Sequence, residues 1–229
     1  MVPIQRSLSR QRRALLVAAL AGAVSCAFPR IVHAVTATGS AGDRRFSVLY
    51  KGHRIGTHTI LYCSESGDTR VNTEIHLAMK IAFITVFAFS HRSEETWRDG
   101  QLMLLKSITV EHGATLCVEG AQTPDGFRVV SEGGPFIAPP ATLTSNSLWT
   151  PAVMEQDTVV DAQHGGIIGV SARKFSDEEM VIRDREVRAT RYTFITPYLA
   201  GSIWYDEENL WVSGEFERDG SKIQYQLET

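Results

Sequence analysis

The strongest constraint on this chain is a period of two that runs through most of its length. Between Arg70 and Met79, the side chains Val71, Thr73, Ile75, Leu77 and Met79 alternate with Arg70, Asn72, Glu74, His76 and Ala78. In an extended strand that alternation puts one set against a core and the other in water. The same pattern predicts strands at 46–51, 55–63, 83–98, 101–111, 114–122 and 127–131 and, after a break, at 167–175, 179–183, 187–196, 199–206, 210–218 and 221–227. Lys51-Gly52, Ser66-Gly67, Asp99-Gly100, His112-Gly113, Asp125-Gly126 and Asp219-Gly220 fall between these runs. Such pairs suit tight hairpins, because the turn needs residues that tolerate positive φ. Consecutive strands without helical interludes predict an all-β fold, a curved antiparallel meander that forms an open or closed barrel.

Residues 133–165 break the rhythm. Gly133-Gly134-Pro135 and Pro139-Pro140 exclude a central strand, since proline has no ladder donor. Pro151 after Thr150 suits the first turn of one short helix with a threonine cap. The segment reads as a crossover that closes one end of the sheet, with Trp149 packed under it.

Residues 1–34 follow another pattern. Arg6, Arg10, Arg12 and Arg13 precede an apolar run from Ala14 to Phe28, and Val32-His33-Ala34 supplies a small-residue cleavage site. This predicts an export signal cut after Ala34, with Val35-Thr36-Ala37 as an alternative site. Arg12-Arg13 followed by Leu15-Leu16 points to twin-arginine export, while Gln11 and Val17 leave general secretion open. Cys26 admits lipidation, although Ala23-Val24-Ser25 lacks the usual leucine. The apolar run falls short of the roughly 20 residues that span a bilayer. The expectation is a single periplasmic domain, 35–229, with no transmembrane segment. Without the leader, 18 basic residues face 26 acidic ones, a formal charge of −8. With no basic cluster after Arg45, nucleic acid is excluded as a partner. In an oxidising compartment Cys63 and Cys117 either pair or sit as two buried thiols.

The stretch from Phe89 to Leu102 (FSHRSEETWRDGQL), Leu148-Trp149-Thr150-Pro151 continuing to Asp157 through Gly165, and Trp204-Tyr205-Asp206 resemble a family of exported bacterial proteins catalogued as a domain of unknown function. The likeness covers essentially the whole mature chain. Where that family carries Asn before the proline and Thr-Gln-Thr-Gly later, this chain has Thr150 and Ala162-Gln163-His164-Gly165. More distantly the family is similar to Lol-type lipoprotein carriers. That resemblance implies a curved sheet wrapped around a helix and enclosing an apolar cavity.

Polar chemistry is sparse. Phe87, Phe89, His91, Ser93, Glu95 and Trp97 share one strand face, but His91 and Glu95 stand about 13 Å apart along an extended strand and make no direct pair. Asp157, Asp161 and His164 match no zinc or calcium spacing, and turn capping explains them more simply. His53 and His58 flank Ile55-Gly56 and read as exposed; Ser171 lacks the setting of a nucleophile elbow. The run Ile81 to Phe89 reads as a strand covered on both faces, by protein or by an apolar ligand.

These features predict an exported protein that binds or handles an apolar or amphipathic envelope molecule, such as a lipid. Phe87, Phe89, His91, Glu95, Trp97 and Trp149 are its candidate ligand-binding residues. No catalytic residue, metal or cofactor is assigned, and the oligomeric state stays open. The alternatives are a hydrolase or isomerase using Glu95, His91 or Asp161, and a structural module that binds another envelope protein.

Overall fold

The computed structural model describes residues 42–228 apart from 82 and 219. The leader at 1–34 lies outside the described residues. The first strands are β1 Arg44–Tyr50, β2 His53–Glu65, β3 Asp68–Ile81, β4 Ile84–Arg98, β5 Gln101–Glu111, β6 Ala114–Thr123, β7 Gly126–Val130 and β8 Phe136–Ala138. After the crossover come β9 Thr158–Val160, β10 Ile167–Gly169, β11 Ser171–Ile182, β12 Arg185–Ile195, β13 Ala200–Asp206, β14 Trp211–Arg218 and β15 Ser221–Leu227. A 13-stranded sheet has the order β11-β12-β13-β14-β15-β1-β2-β3-β4-β5-β6-β7-β8, while β9 and β10 pair with each other. All its pairings are antiparallel. The sheet curls like a barrel but does not close, since β8 and β11 remain its edges.

The turns explain why the strands follow one another so closely. Lys51-Gly52, Ser66-Gly67, Asp99-Gly100 and His112-Gly113 all have φ between 49° and 89°, the geometry whose twist matches paired strands. Arg183-Asp184 makes the same turn without glycine, at φ 52° and 59°. The proline-flanked β8 is a three-residue edge strand, where a missing donor leaves no neighbour unpaired. The strands expected at 167–175 and 179–183 are divided differently. Ile167–Gly169 leaves to pair with β9, and β11 runs unbroken past an irregularity between Lys174 and Asp177.

The crossover runs inside the curl. Leu143, Val153, Met154, Val159, Val160 and Ala162 join Phe46, Ile60, Val71, Leu105, Phe127, Ile203 and Trp211 in one buried cluster. On one side Ser107 and Thr109 donate to the carbonyls of Ala162 and Gln163. On the other the Tyr205 hydroxyl donates to the Leu148 carbonyl at 2.9 Å. In place of one short helix there are two 3₁₀ turns, Ser147–Trp149 and Pro151–Glu155, and Thr150 Oγ1 accepts from the Ala152 amide at 3.4 Å. Trp149 packs edge-on against Trp97 and Tyr62, with centroids 5.4 and 5.9 Å apart.

Two expectations are corrected. Cys63 is an exposed free thiol on β2, whereas Cys117 is buried on β6 with three strands between, so no bridge joins them. The apolar run at Ile81 to Phe89 is not covered on both faces: Phe83 is 100% exposed and Val86 48%. The cause is length. β3 pairs with β2 only as far as Leu77, and β4 with β5 only as far as Phe89, so the tip of this hairpin projects as a two-stranded ribbon.

Candidate functional site

Antiparallel order places the turns after β1, β3, β5, β12 and β14 at one end of the curl, and a cavity of about 460 Å³ opens there. Its walls are mostly apolar: Ile75, Leu77 and Met79 from β3, Phe87 and Phe89 from β4, Ile223 and Tyr225 from β15, and Met154 and Leu148 from the crossover. Phe216 and Tyr225 wall one side of this space, with Trp211 packed against both and Phe46 against Trp211 and Tyr225. Phe46 lies 4.2 Å from Trp211, which lies 5.2 Å from Tyr225, and Tyr225 lies 4.9 Å from Phe216, all measured between ring centroids. A β-irregularity between Val48 and Leu49 makes Ile55 an extra residue, so that both Ile55 and His58 reach the cavity.

A polar chain crosses one side of the lining. Asp161 accepts from the amides of Gln163 and His164, at 2.9 and 3.3 Å, and so caps the turn that carries His164. His164 Nδ1 lies 2.9 Å from Asp161 Oδ2, its Nε2 lies 3.3 Å from Glu111 Oε2, and Arg218 donates to Glu111 Oε1 at 3.2 Å. Partial burial opposes a charge on His164, but the Asp161 and Glu111 carboxylates outweigh it and hold the imidazole above its ordinary pKa. Both ring nitrogens are engaged by carboxylates, so neither serves as a base for a nucleophile. Asp157 is exposed and stands outside this group. Among the described residues no three His, Cys, Asp or Glu side chains are placed to hold a metal ion. Ser171 is exposed on the edge strand β11.

The predicted site residues divide between two parts of the interior. Phe87 and Phe89 line the cavity. His91, Glu95 and Trp97 continue the same face of β4 into the packed half, where each is buried, and Trp149 packs beside Trp97. His91 is tied at both nitrogens: Nδ1 lies 2.9 Å from Thr109 Oγ1, and Nε2 2.9 Å from Asn146 Nδ2. Thr109 spends its own proton on the Gln163 carbonyl, so Nδ1 of His91 donates and Nε2 accepts. Glu95 accepts from Thr144 Oγ1 and, at 3.0 Å, from Trp97 Nε1. Burial pushes this carboxyl up to about 7 against the pull of those two hydrogen bonds. His91 and Glu95 thus hold the crossover to the wall and do not face the cavity.

Sequence reasoning missed Tyr50, His58, Glu111, Phe216, Arg218 and Tyr225. His58 reverses its expectation, being buried where it was expected exposed. A signal for it was present, since His58 alternates in phase with Ile60, opposite Phe46 and Ile75.

Residues 46–228 match the family described as Domain of unknown function (DUF6134). The chain belongs to this family. The curled sheet and its cavity are therefore features of a DUF6134 domain. The chain is similar in structure to a β-barrel-like protein of domain of unknown function DUF1849 from Brucella abortus, with a TM-score of 0.59 and 8% identity over 81% of this chain and 95% of that one. At such low identity the likeness shows the fold alone. No curated protein matches the chain. No helix among the described residues is long and apolar enough to cross a membrane.

Proposed function

We propose that this DUF6134 domain is an exported periplasmic binding protein that takes up an apolar or amphipathic envelope molecule, and that it does so without catalysis. The cavity carries this reading. At about 460 Å³, with mainly apolar walls and an opening at the hairpin end, it has the size and chemistry of a site for a lipid-like molecule. The polar candidates favour binding over catalysis, because His91 and Glu95 are locked in the packed half and His164 is held between two carboxylates. The resemblance to Lol-type carriers drawn from the sequence points the same way. The leader supports the compartment.

Two outcomes are expected. Protein recovered from a periplasmic fraction should begin at Val35; an N-terminus at a lipidated Cys26 overturns the cleavage site and the soluble state, and retention in the cytoplasm removes the compartment. Purified protein spanning 35–229 should enhance the fluorescence of the apolar probe N-phenyl-1-naphthylamine saturably. Phe89→Asp should weaken that uptake by at least about tenfold, because a carboxylate in an apolar wall costs several kcal/mol to desolvate. Near-UV circular dichroism checks that the variant is folded. Absence of uptake by the folded wild type overturns the binding reading.

A further inference from the structure

The large apolar side chains that the fold leaves most exposed gather at the end where the cavity opens. Of the four with the greatest exposure among the described residues, three stand there: Phe83 at 100%, Ile195 at 64% and Tyr198 at 56%. Phe83 is at the tip of the β3–β4 ribbon, and Ile195 and Tyr198 are at the turn after β12. Both places adjoin the cavity, since Tyr198 lines it and Met79, Phe87 and Phe89 carry its wall into the ribbon. From Ile81 to Phe89 the sequence has no charged residue. Phe83, Thr85, Val86 and Ala88 are all exposed, so both faces of the ribbon meet the surroundings.

The ribbon is suited to an apolar medium. Its backbone pairs within the hairpin, Lys80 with Thr85 and Ile81 with Ile84, so that ladder strands no donor or acceptor when water is removed. A protein partner is a poorer fit. A stable interface needs about 800 Å² from each side, whereas Phe83 offers about 150–250 Å². Ile195 and Tyr198 stand on a turn six strands away in the sheet, with the cavity mouth between. Charge is divided along the same axis. Beyond the leader the formal charge is −8. The turns at the far end hold Glu65, Asp99, Asp125, Asp184, Glu207 and Glu208 against Arg98, Arg183 and Arg185. Around the mouth end Lys51, Lys80, Arg218 and Lys222 balance Glu111, Glu132, Glu217 and Asp219. An anionic surface therefore repels the far end and meets no net repulsion at the mouth, which turns the mouth toward it.

We propose that the mouth end docks on a phospholipid bilayer, with Phe83 inserted among the lipid chains and Tyr198 and Ile195 at the interface, where an aromatic ring with a polar tip is well placed. Docking rests on this exposed face alone. Direct exchange of the ligand between bilayer and cavity rests also on the cavity being a binding site.

The test is sedimentation of protein spanning 35–229 with vesicles of phosphatidylethanolamine and phosphatidylglycerol, for the wild type, Phe83→Asp, Phe83→Trp and Val181→Asp. The wild type should partition onto the vesicles saturably, and Phe83→Asp at least about tenfold more weakly, the effect of withdrawing one large apolar side chain. Phe83→Trp should bind like the wild type, with indole emission that shifts to the blue on the vesicles. Val181 is 72% exposed on the edge strand β11, away from the mouth, so Val181→Asp makes the same change of charge and should alter partition by less than about twofold. Uptake of N-phenyl-1-naphthylamine without vesicles should be equal in all four proteins, since neither residue lines the cavity. Folded wild type that stays in the supernatant overturns docking. So does partition that is indifferent to residue 83 or falls equally in Val181→Asp. A dimer in analytical ultracentrifugation that Phe83→Asp abolishes would assign the tip to a second copy and overturn the bilayer. Vesicle binding without probe uptake leaves docking in place and removes ligand exchange, whereas probe uptake without vesicle binding removes docking and leaves the binding site.

Discussion

In a Glu95→Gln background, acidification from about pH 7 to about pH 4.5 is expected to cost about 5 kcal/mol of folding stability, roughly twice the loss in the wild type. Three buried groups set these magnitudes. Burial lowers the folded pKa of His58 to about 3 and of His91 to about 4, both from an ordinary 6.5, with the Asp161 charge partly opposing the shift at His91. The unfolded chain therefore binds protons that the native state refuses. The stability these two groups contribute is present above pH 6.5 and drains away as the pH falls toward 3 and 4. Glu95 has the opposite sign. Its folded pKa is raised by burial from 4.5 to about 7, so its contribution is complete below pH 4.5 and is lost as the pH rises through 7. Acidification thus weakens the two histidines while it relieves the carboxyl, and the wild type loses only about half of what they would forfeit alone. Glutamine keeps an acceptor for Trp97 but removes the titration. Urea denaturation of both proteins across this range measures the difference, and parallel pH profiles would show that Glu95 does not titrate in the window.

Trp211→Ala is expected to destabilise the domain by about 3–5 kcal/mol, the range for deleting a large buried aromatic. Trp211 is 1% exposed and touches Phe46, His58, Phe216 and Tyr225, while its indole N–H donates to the Ser213 carbonyl at 2.8 Å. Those neighbours sit on β1, β2, β14 and β15, in the stretch of sheet where the first and last strands meet. The lost volume would also adjoin an existing cavity, so the variant that survives should accept a bulkier probe. For a domain of this size the loss corresponds to about 10 °C in Tm, readable by calorimetry. A change below about 1 kcal/mol would mean that the neighbouring rings collapse into the gap.

Most of the strands were legible because alternation and turn chemistry agree. At Gln101–Glu111 and Ser221–Leu227 the expected and observed bounds coincide, since a residue pair suited to positive φ fixes an end and the pattern fixes the face. The route of the crossover was not legible. Proline and glycine announce a break at 133–140, but only contacts distant in sequence, such as Ser107 with Ala162, determine that the chain then enters the curl. β11 was split in two because Ser176, Asp177 and Glu178 look like a turn, yet an exposed edge strand tolerates polar residues on both faces. The site was half visible. Phe87 and Phe89 were found from their shared face, whereas His91 and Glu95 were correctly placed inward but serve the packed half. His58 was misplaced because it stands beyond the irregularity at Val48 and Leu49, where counting outward from the turn gives the wrong face.

Every neighbour in the large sheet is consecutive in the chain except one pair, β1 with β15, whose register sets Phe46 opposite Leu227. The wall is continuous where the first and last described strands meet and open between β8 and β11, which the crossover connects. The fold is a circular permutation of a plain up-and-down meander. Its single non-local ladder must wait until Ser221–Leu227 has been synthesised, leaving the β1 edge unpaired until then. That ladder joins the strands farthest apart in sequence, so docking of the last strand on the first is expected to be a late and slow step in forming the domain.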